Sequence, residues 1–243
     1  MHLATHGILA RPTAAVSFSN TKSVDFDGVD DYVDLGSFTL NTDAAWSISL
    51  WAYLDGFSST YPGPFILKTD EATGFCCFFN SSSPVYQGIN FGSNANFMRI
   101  KTTGDISASL VGVWKHVVLT YNGSGKTTES NYTIYVDGSV VASVSSAPFA
   151  SVENRSNIGR ANGSNSFDGN IDEVGIFDSE LSSSDVTAIY NSGTPLSLSS
   201  YSPLGWWRMG DGDTYPTLTD NGSGGNNGTM TNMVSGDIVT DVP

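Results

Sequence analysis

Val24-Asp25-Phe26-Asp27-Gly28-Val29-Asp30-Asp31-Tyr32-Val33-Asp34-Leu35 is the stretch on which the reading of this chain turns. Val24 and Phe26 alternate with Asp25 and Asp27, the period-two pattern of a strand with one buried face. Asp27-Gly28 breaks that pattern, because Asp and Gly enter tight turns at little steric cost. Alternation resumes at Tyr32, Val33, Asp34 and Leu35. The stretch therefore predicts two short strands around a tight, acidic corner.

Downstream the same grammar repeats. Trp46 to Leu54 carries Trp46, Ile48, Leu50, Ala52 and Leu54 on one face. Its other face holds Ser47, Ser49, Trp51 and Tyr53, aromatic enough to be either covered or a contact surface. Further strands are expected at 65–68, 74–80, 97–101, 114–121, 131–136, 140–144, 157–160 and 171–177. Asp137-Gly138-Ser139 reads as a hairpin turn between 131–136 and 140–144. A helix is expected over 181–190, with Ser182, Ser183 or Ser184 as cap and Asp185 in its first turn. Asn191-Ser192-Gly193 and Pro195 end it. Many strands with Gly/Asn turns and one short helix give an all-β sandwich. Residues 1–17 have no apolar period and read as an N-terminal arm.

Composition narrows the function. The 243 residues carry a formal net charge of −14, yet only 14% are charged. That field repels nucleic acid and anionic membrane surfaces. No apolar run approaches the roughly 18 residues that a membrane-spanning helix needs. Residues 1–11 lack the features of a secretory signal, so an outside location implies transport in an assembled particle or release by lysis. Cys76 and Cys77 are adjacent, awkward to bridge, and are expected as reduced thiols with one buried. His2, His6 and His116 fall into no nucleophile or metal spacing, and His116 reads as a satisfied, partly buried histidine.

Three pieces together carry a family resemblance. They are Phe26-Asp27-Gly28-Val29-Asp30-Asp31-Tyr32-Val33, then Trp114-Lys115-His116-Val117 leading to Ile134-Tyr135-Val136-Asp137-Gly138, then Gly169 through Phe177. With Leu181-Ser182 and Ile189-Tyr190, they resemble the laminin-G-like, concanavalin A-like jelly-roll family in order and spacing over about residues 18–194. The resemblance implies a two-sheet antiparallel jelly roll spanning 18–196. Leu204-Gly205-Trp206-Trp207-Arg208-Met209-Gly210-Asp211-Gly212 and the Gly/Asn-rich loop after it are similar to a segment that usually opens such domains. Here they follow the helix. Residues 197–243 are therefore expected either to complete their own sandwich or to be donated to a neighbouring subunit.

The resemblance also implies a structural Ca2+ at the sandwich rim, with Asp30 and Asp172 as metal ligands, since calcium takes hard oxygen donors. It implies no catalysis. Retaining glucanases of this fold carry Glu-x-Asp-x-x-Glu, which this chain lacks, and Asp172 and Glu173 are neighbours expected on opposite faces of a strand. Rim loops offer Tyr61, Tyr86, Phe91, Asn94 and Asn96 as candidate sugar contacts. Thr5 to Ala10 and Gly205 to Asp213 are similar to stretches in structural proteins of bacteriophages and marine viruses. From that similarity the expected function is a non-enzymatic virion component, a head decoration, fibre or spike, located at the particle surface. Its partners would be other virion proteins or copies of itself, and surface glycans. The alternative is a calcium-dependent, carbohydrate-binding lectin or adhesion module.

Overall fold

The computed structural model describes residues 18–57, 61–81, 87–94, 99–104, 106–149, 151–161, 163 and 165–243. The expected arm at 1–17 and the positions Tyr86 and Asn96 lie outside them. Among the described residues, seventeen strands form two antiparallel sheets. In chain order they are β1 (Ser23–Asp27), β2 (Tyr32–Asp34), β3 (Trp46–Leu54), β4 (Phe65–Lys68), β5 (Gly74–Asn80), β6 (Gly88–Gly92), β7 (Arg99–Thr102), β8 (Trp114–Tyr121), β9 (Tyr132–Val136), β10 (Ser139–Val141), β11 (Ser143–Ser146), β12 (Asn157–Ile158) and β13 (Asp168–Phe177). The helix α1 (Ser183–Tyr190) follows, then β14 (Gly205–Trp207), β15 (Thr217–Leu218), β16 (Gly228–Thr231) and β17 (Ile238–Val239). One sheet has the order β10-β9-β8-β3-β13-β1-β17, with β14 also on β13. The other runs β11-β7-β6-β5-β4-β12-β2-β16-β15. The fold is a concanavalin A-like jelly-roll sandwich.

The two halves of the opening hairpin enter different sheets. β1 pairs with β13, and β2 pairs with β12 and β16. The acidic turn between them therefore sits at the sandwich rim. The inward alternation of β3 holds: Trp46, Ile48, Leu50, Ala52 and Leu54 all lie in the main core. Trp46 is the centre of an aromatic cluster, 5.0 Å from Phe75 and 5.5 Å from Tyr121 between ring centroids. Such pairs add about 0.5–1.5 kcal/mol each beyond the area they bury. Both cysteines are free and buried.

The turn Asp137-Gly138 joins β9 to β10 with φ of 50° and 73°. Positive φ at both central residues matches the right-handed twist of the flanking strands. The single strand expected over 140–144 is instead divided. β10 stays with β9, and after Ala142 the chain crosses to pair β11 with β7. Ala142 marks the crossing because its carbonyl accepts from the Thr103 backbone N–H.

β13, the longest strand, organises the first sheet. One edge pairs with β3. The other is shared end to end, β1 on Asp168–Ile171 and β14 on Val174–Ile176. The register with β3 shifts between Asp172 and Gly175, and Glu173 has φ 45°. This bulge corrects the expectation that Asp172 and Glu173 face opposite sides. Ile171 and Val174 both point into the main core, so the extra residue places both carboxylates on the outer side.

There the two carboxylates are buried and hydrogen-bonded. Asp172 accepts from Asn20 Nδ2 at 2.7 Å and from the Glu173 N–H at 2.8 Å. Glu173 accepts from Trp206 Nε1 at 2.6 Å and from Arg208 Nε at 3.1 Å. Arg208 continues to the Ser19 carbonyl, and Asp211 accepts from the Thr21 backbone and hydroxyl. The network fastens the segment after α1 to the start of β1. Trp207, fully buried, turns the opposite way and meets Phe38 edge-on at 5.5 Å.

Two outcomes follow from this architecture. Gly159 has φ 81°, and a Cβ there would lie 2.0 Å from the Phe26 ring. Gly159→Ala combines backbone strain with overpacking and is expected to cost about 2–5 kcal/mol, read as a lowered urea midpoint. The second outcome concerns pH. Burial raises the Asp172 carboxyl well above its ordinary range and lifts Glu173 from 4.5 to about 7. An acid that holds its proton more tightly when folded loses stability as pH rises from the unfolded to the folded value. Unfolding free energy should fall by on the order of 2 kcal/mol for Glu173 between about pH 4.5 and 7. Glu173→Gln should flatten that part of the profile, measured by urea titration across the range.

Candidate functional site

Two surface features gather chemically useful side chains. The first is the acidic corner between β1 and β2. Oxygens of Asp27, Asp30 and Asp31 all lie within 4.8 Å of one another. Local geometry enforces this: Asp27 Oδ1 accepts from the Val29 and Asp30 N–H groups, and Asp31 Oδ2 accepts from the Asp27 N–H. Asn232, at the end of β16, donates to both the carbonyl and the carboxylate of Asp30. Burial, opposed by the Asp27 N–H and reinforced by the Asp27, Asp237 and Asp30 charges, raises the Asp31 carboxyl to about 6. Three carboxylates this close offer the hard oxygen donors that a cation such as Ca2+ takes.

Asp172 does not join it. Asp27 pairs with Asp168, so Asp172 lies four residues along β13, roughly 13 Å away at a rise of about 3.3 Å per residue. Asp30 continues in the opposite direction from that pair. The structure brings Asp30 together with Asp27 and Asp31, and sets Asp172, expected from the resemblance as its fellow ligand, apart from them. The sequence signal for this set was the tight spacing around Gly28, where Asp27 and Asp31 read as turn and solubility residues.

The second feature is an aromatic cleft on the outer face of the first sheet. Ser182 Oγ accepts from the Asp185 N–H and Asp185 returns the bond, a capping box that starts α1. The helix lays Val186 and Ile189 over Val118, Tyr135 and Phe177. It stops short of the far end of the sheet. Its last residue, Tyr190, stacks on Trp51 at 5.8 Å and 24°. Tyr190 also lies against the Asp137-Gly138 turn, where a Cβ on Gly138 would approach its ring to 2.9 Å. Tyr53 and Trp114, on paired positions of β3 and β8, lean together at 5.8 Å.

These rings, with Lys115, Asp137 and the exposed Val113, line a cleft of about 440 Å³. Gly193 and Pro243 complete its wall. Lys115 Nζ and Asp137 Oδ2 form an ion pair at 2.6 Å across its edge, and Asp137 Oδ1 accepts from the His116 N–H. His116 lies underneath, fully buried, with its ring 4.9 Å from Trp51. Burial pushes its imidazole down to about 3, so it stays neutral, with Nε2 held by Ser49 Oγ at 2.9 Å. The outer face of β3 is therefore covered from Ser47 to Trp51 and open at Tyr53.

The rim-loop candidates fare differently. Phe91 is core, 1% exposed and 6.2 Å from Phe65, because it points between the sheets. Tyr61 is half-buried against Phe78, and Asn94 is half-buried. Tyr53 and Trp51 were visible as an aromatic outward face. Trp114, Tyr190, Lys115 and Asp137 join them only through strand register and helix placement.

Comparison with known proteins places this geometry. No curated protein matches the chain by sequence. Among solved structures, a Bacteroides ovatus protein assigned to carbohydrate binding is similar with a TM-score of 0.60 at 17% identity, over 93% of this chain and 62% of that one. The extracellular region of zebrafish Gpr126/Adgrg6 is similar with a TM-score of 0.50 at 14% identity, over 92% of this chain and 26% of that one. The chain thus spans less than two thirds of either protein. At such identities the likeness is one of fold. The laminin G model described as the concanavalin A-like lectin/glucanases superfamily matches residues 27–187. With the sandwich, its rim corner and the spacing of its motifs all in place, the chain belongs to the concanavalin A-like lectin/glucanases superfamily.

Proposed function

We propose that the protein is a non-catalytic carbohydrate-binding module whose ligand lies in the cleft of Trp51, Tyr53, Trp114 and Tyr190. The observation that carries this is the half-exposed rings of Tyr53, Trp114 and Tyr190, seated on the buried Trp51, beside a hydrogen-bonding Lys115–Asp137 edge. Sugar rings present an apolar C–H face to an aromatic plane and hydroxyls to polar groups at its border. The carbohydrate-binding assignment of the similar Bacteroides protein points the same way. Glycoside hydrolysis calls for two facing carboxyl groups. Among the described residues, Asp137 is the one carboxylate side chain lining the cleft, while Asp172 and Glu173 are buried and engaged elsewhere.

On a virion surface, the setting implied by the sequence resemblance, the same cleft would serve host-glycan contact. Copurification of the chain with particles tests that setting. In either setting Asp27, Asp30 and Asp31 would hold Ca2+ and brace the rim by neutralising their mutual repulsion.

A glycan array of the purified protein should show saccharide binding, and Trp114→Ala or Tyr53→Ala should weaken it tenfold or more, about 1.4 kcal/mol. An array without binding, or binding indifferent to both variants, rules the reading out. For the cation, Ca2+ at about 100-fold over its Kd should raise the melting midpoint by about 5 °C. Asp30→Asn should abolish that rise. Equal midpoints in Ca2+ and in EDTA would dismiss the metal.

A further inference from the structure

We infer that the aromatic cleft takes neutral saccharides and turns away anionic ones such as sulfated, uronic or sialylated glycans. This rests on the reading of the cleft as the glycan site and adds the chemical class of the ligand. Three observations converge on it. Among the described residues, Lys115 is the one basic side chain lining the cleft, and its charge is matched at 2.6 Å by Asp137. A sulfate or carboxylate entering there would have to break that pair or sit beside Asp137, and either route leaves a negative charge without a counter-charge.

Next, α1 ends at the cleft. Tyr190 is its last residue, and Asn191 caps it in a left-handed conformation. The C-terminal end of a helix carries its partial negative charge, which disfavours anions within about a turn. Finally, the chain as a whole bears −14. Its long-range field opposes an anionic ligand before contact.

The ion pair is suited to a different group. An ammonium bonded to one carboxylate still has N–H donors to offer, and the carboxylate still has lone pairs. A neutral vicinal diol satisfies both at once: one hydroxyl oxygen accepts from Lys115 Nζ, and the neighbouring hydroxyl donates to Asp137. The sugar's apolar face then covers Tyr53 and Trp114. A volume of about 440 Å³ falls within the range of small-ligand sites.

The test is a tryptophan-fluorescence titration of the full chain with cellotetraose, xylotetraose and mannotetraose, against a heparin tetrasaccharide and sialyllactose, each at low and high NaCl. The expected result is binding of at least one neutral tetrasaccharide. Its Kd should change less than about twofold with salt, as befits a contact without net charge. Trp114→Phe should keep that affinity within about threefold, and Trp114→Ala and Tyr53→Ala should lose at least tenfold. Circular dichroism confirms that each variant is folded. Heparin or sialyllactose binding that needs Trp114 and weakens with salt overturns the neutral class and leaves the glycan site standing. Neutral binding untouched in both alanine variants overturns the placement of the ligand. No binding by any saccharide removes the glycan reading and this inference with it.

Discussion

Glu173 occupies a left-handed backbone conformation in the middle of β13, and the bonds of its carboxylate hold the C-terminal segment in place. That conformation costs a non-glycine residue about 1–2 kcal/mol. Burying the carboxylate costs several more. Against this stand two hydrogen bonds to a charged acceptor, worth about 1.5–3 kcal/mol each. The terms nearly cancel, so the network contributes little net stability. Its effect is positional. β1 covers one half of the β13 edge and β14 the other, and the bulge sits at their junction. Trp206 and Arg208 find their acceptor only when β14 is in the correct register. Once it is, Trp207 falls into the main core, where a Trp side chain is worth about 3–5 kcal/mol. A roughly neutral polar tie thus selects the register in which a large apolar gain is realised.

The same closure supplies the rim. β16 pairs with β2 and carries the chain to Asn232, whose side chain holds Asp30. β17 pairs with β1 and ends near the outer face of the first sheet, and Pro243 lies in the wall of the aromatic cleft. The segment after the helix therefore completes both sheets, the acidic corner and part of the cleft. It does so next to the hairpin that begins the fold.

Much of this was legible in the sequence, for a definable reason. Period-two alternation in Trp46 to Leu54 reports which side chains enter the core, and the structure buries that face. Ser182 and Asp185 announced the helix start through a local capping geometry. What local pattern did not reveal was set by distant strand partners. The bulge at Glu173 depends on β3 being one residue shorter over the same span, which no local pattern reveals. That single insertion turned Glu173 outward. Register likewise removed Asp172 from the acidic corner, because the β1–β13 pairing slides the two apart. Tyr190 and Asp137 share a cleft although 53 positions separate them in the chain, since the helix returns across the sheet onto the hairpin turn.

The distribution of charge bears on what such a molecule can recognise. Its acids are spread over the exterior, concentrated at the corner of Asp27, Asp30 and Asp31, or buried with bonding partners. The cleft is different: its rings rest on packed neighbours, and its one cation is already paired. Trp51, His116 and Tyr190 pack as a three-ring cluster with centroids 4.9, 5.8 and 6.1 Å apart, and burial holds His116 uncharged. Trp51 thus forms a fixed base under the half-exposed rings, and Tyr53 and Trp114 lean on one another at 5.8 Å. Preorganised aromatic surface saves the ordering entropy that weakens flexible sites. For the saccharide ligand we propose, a rigid platform set in an anionic shell would give selectivity from two sources. Stacking geometry rewards ligands with an apolar ring face, and the surrounding field penalises ligands that share its sign.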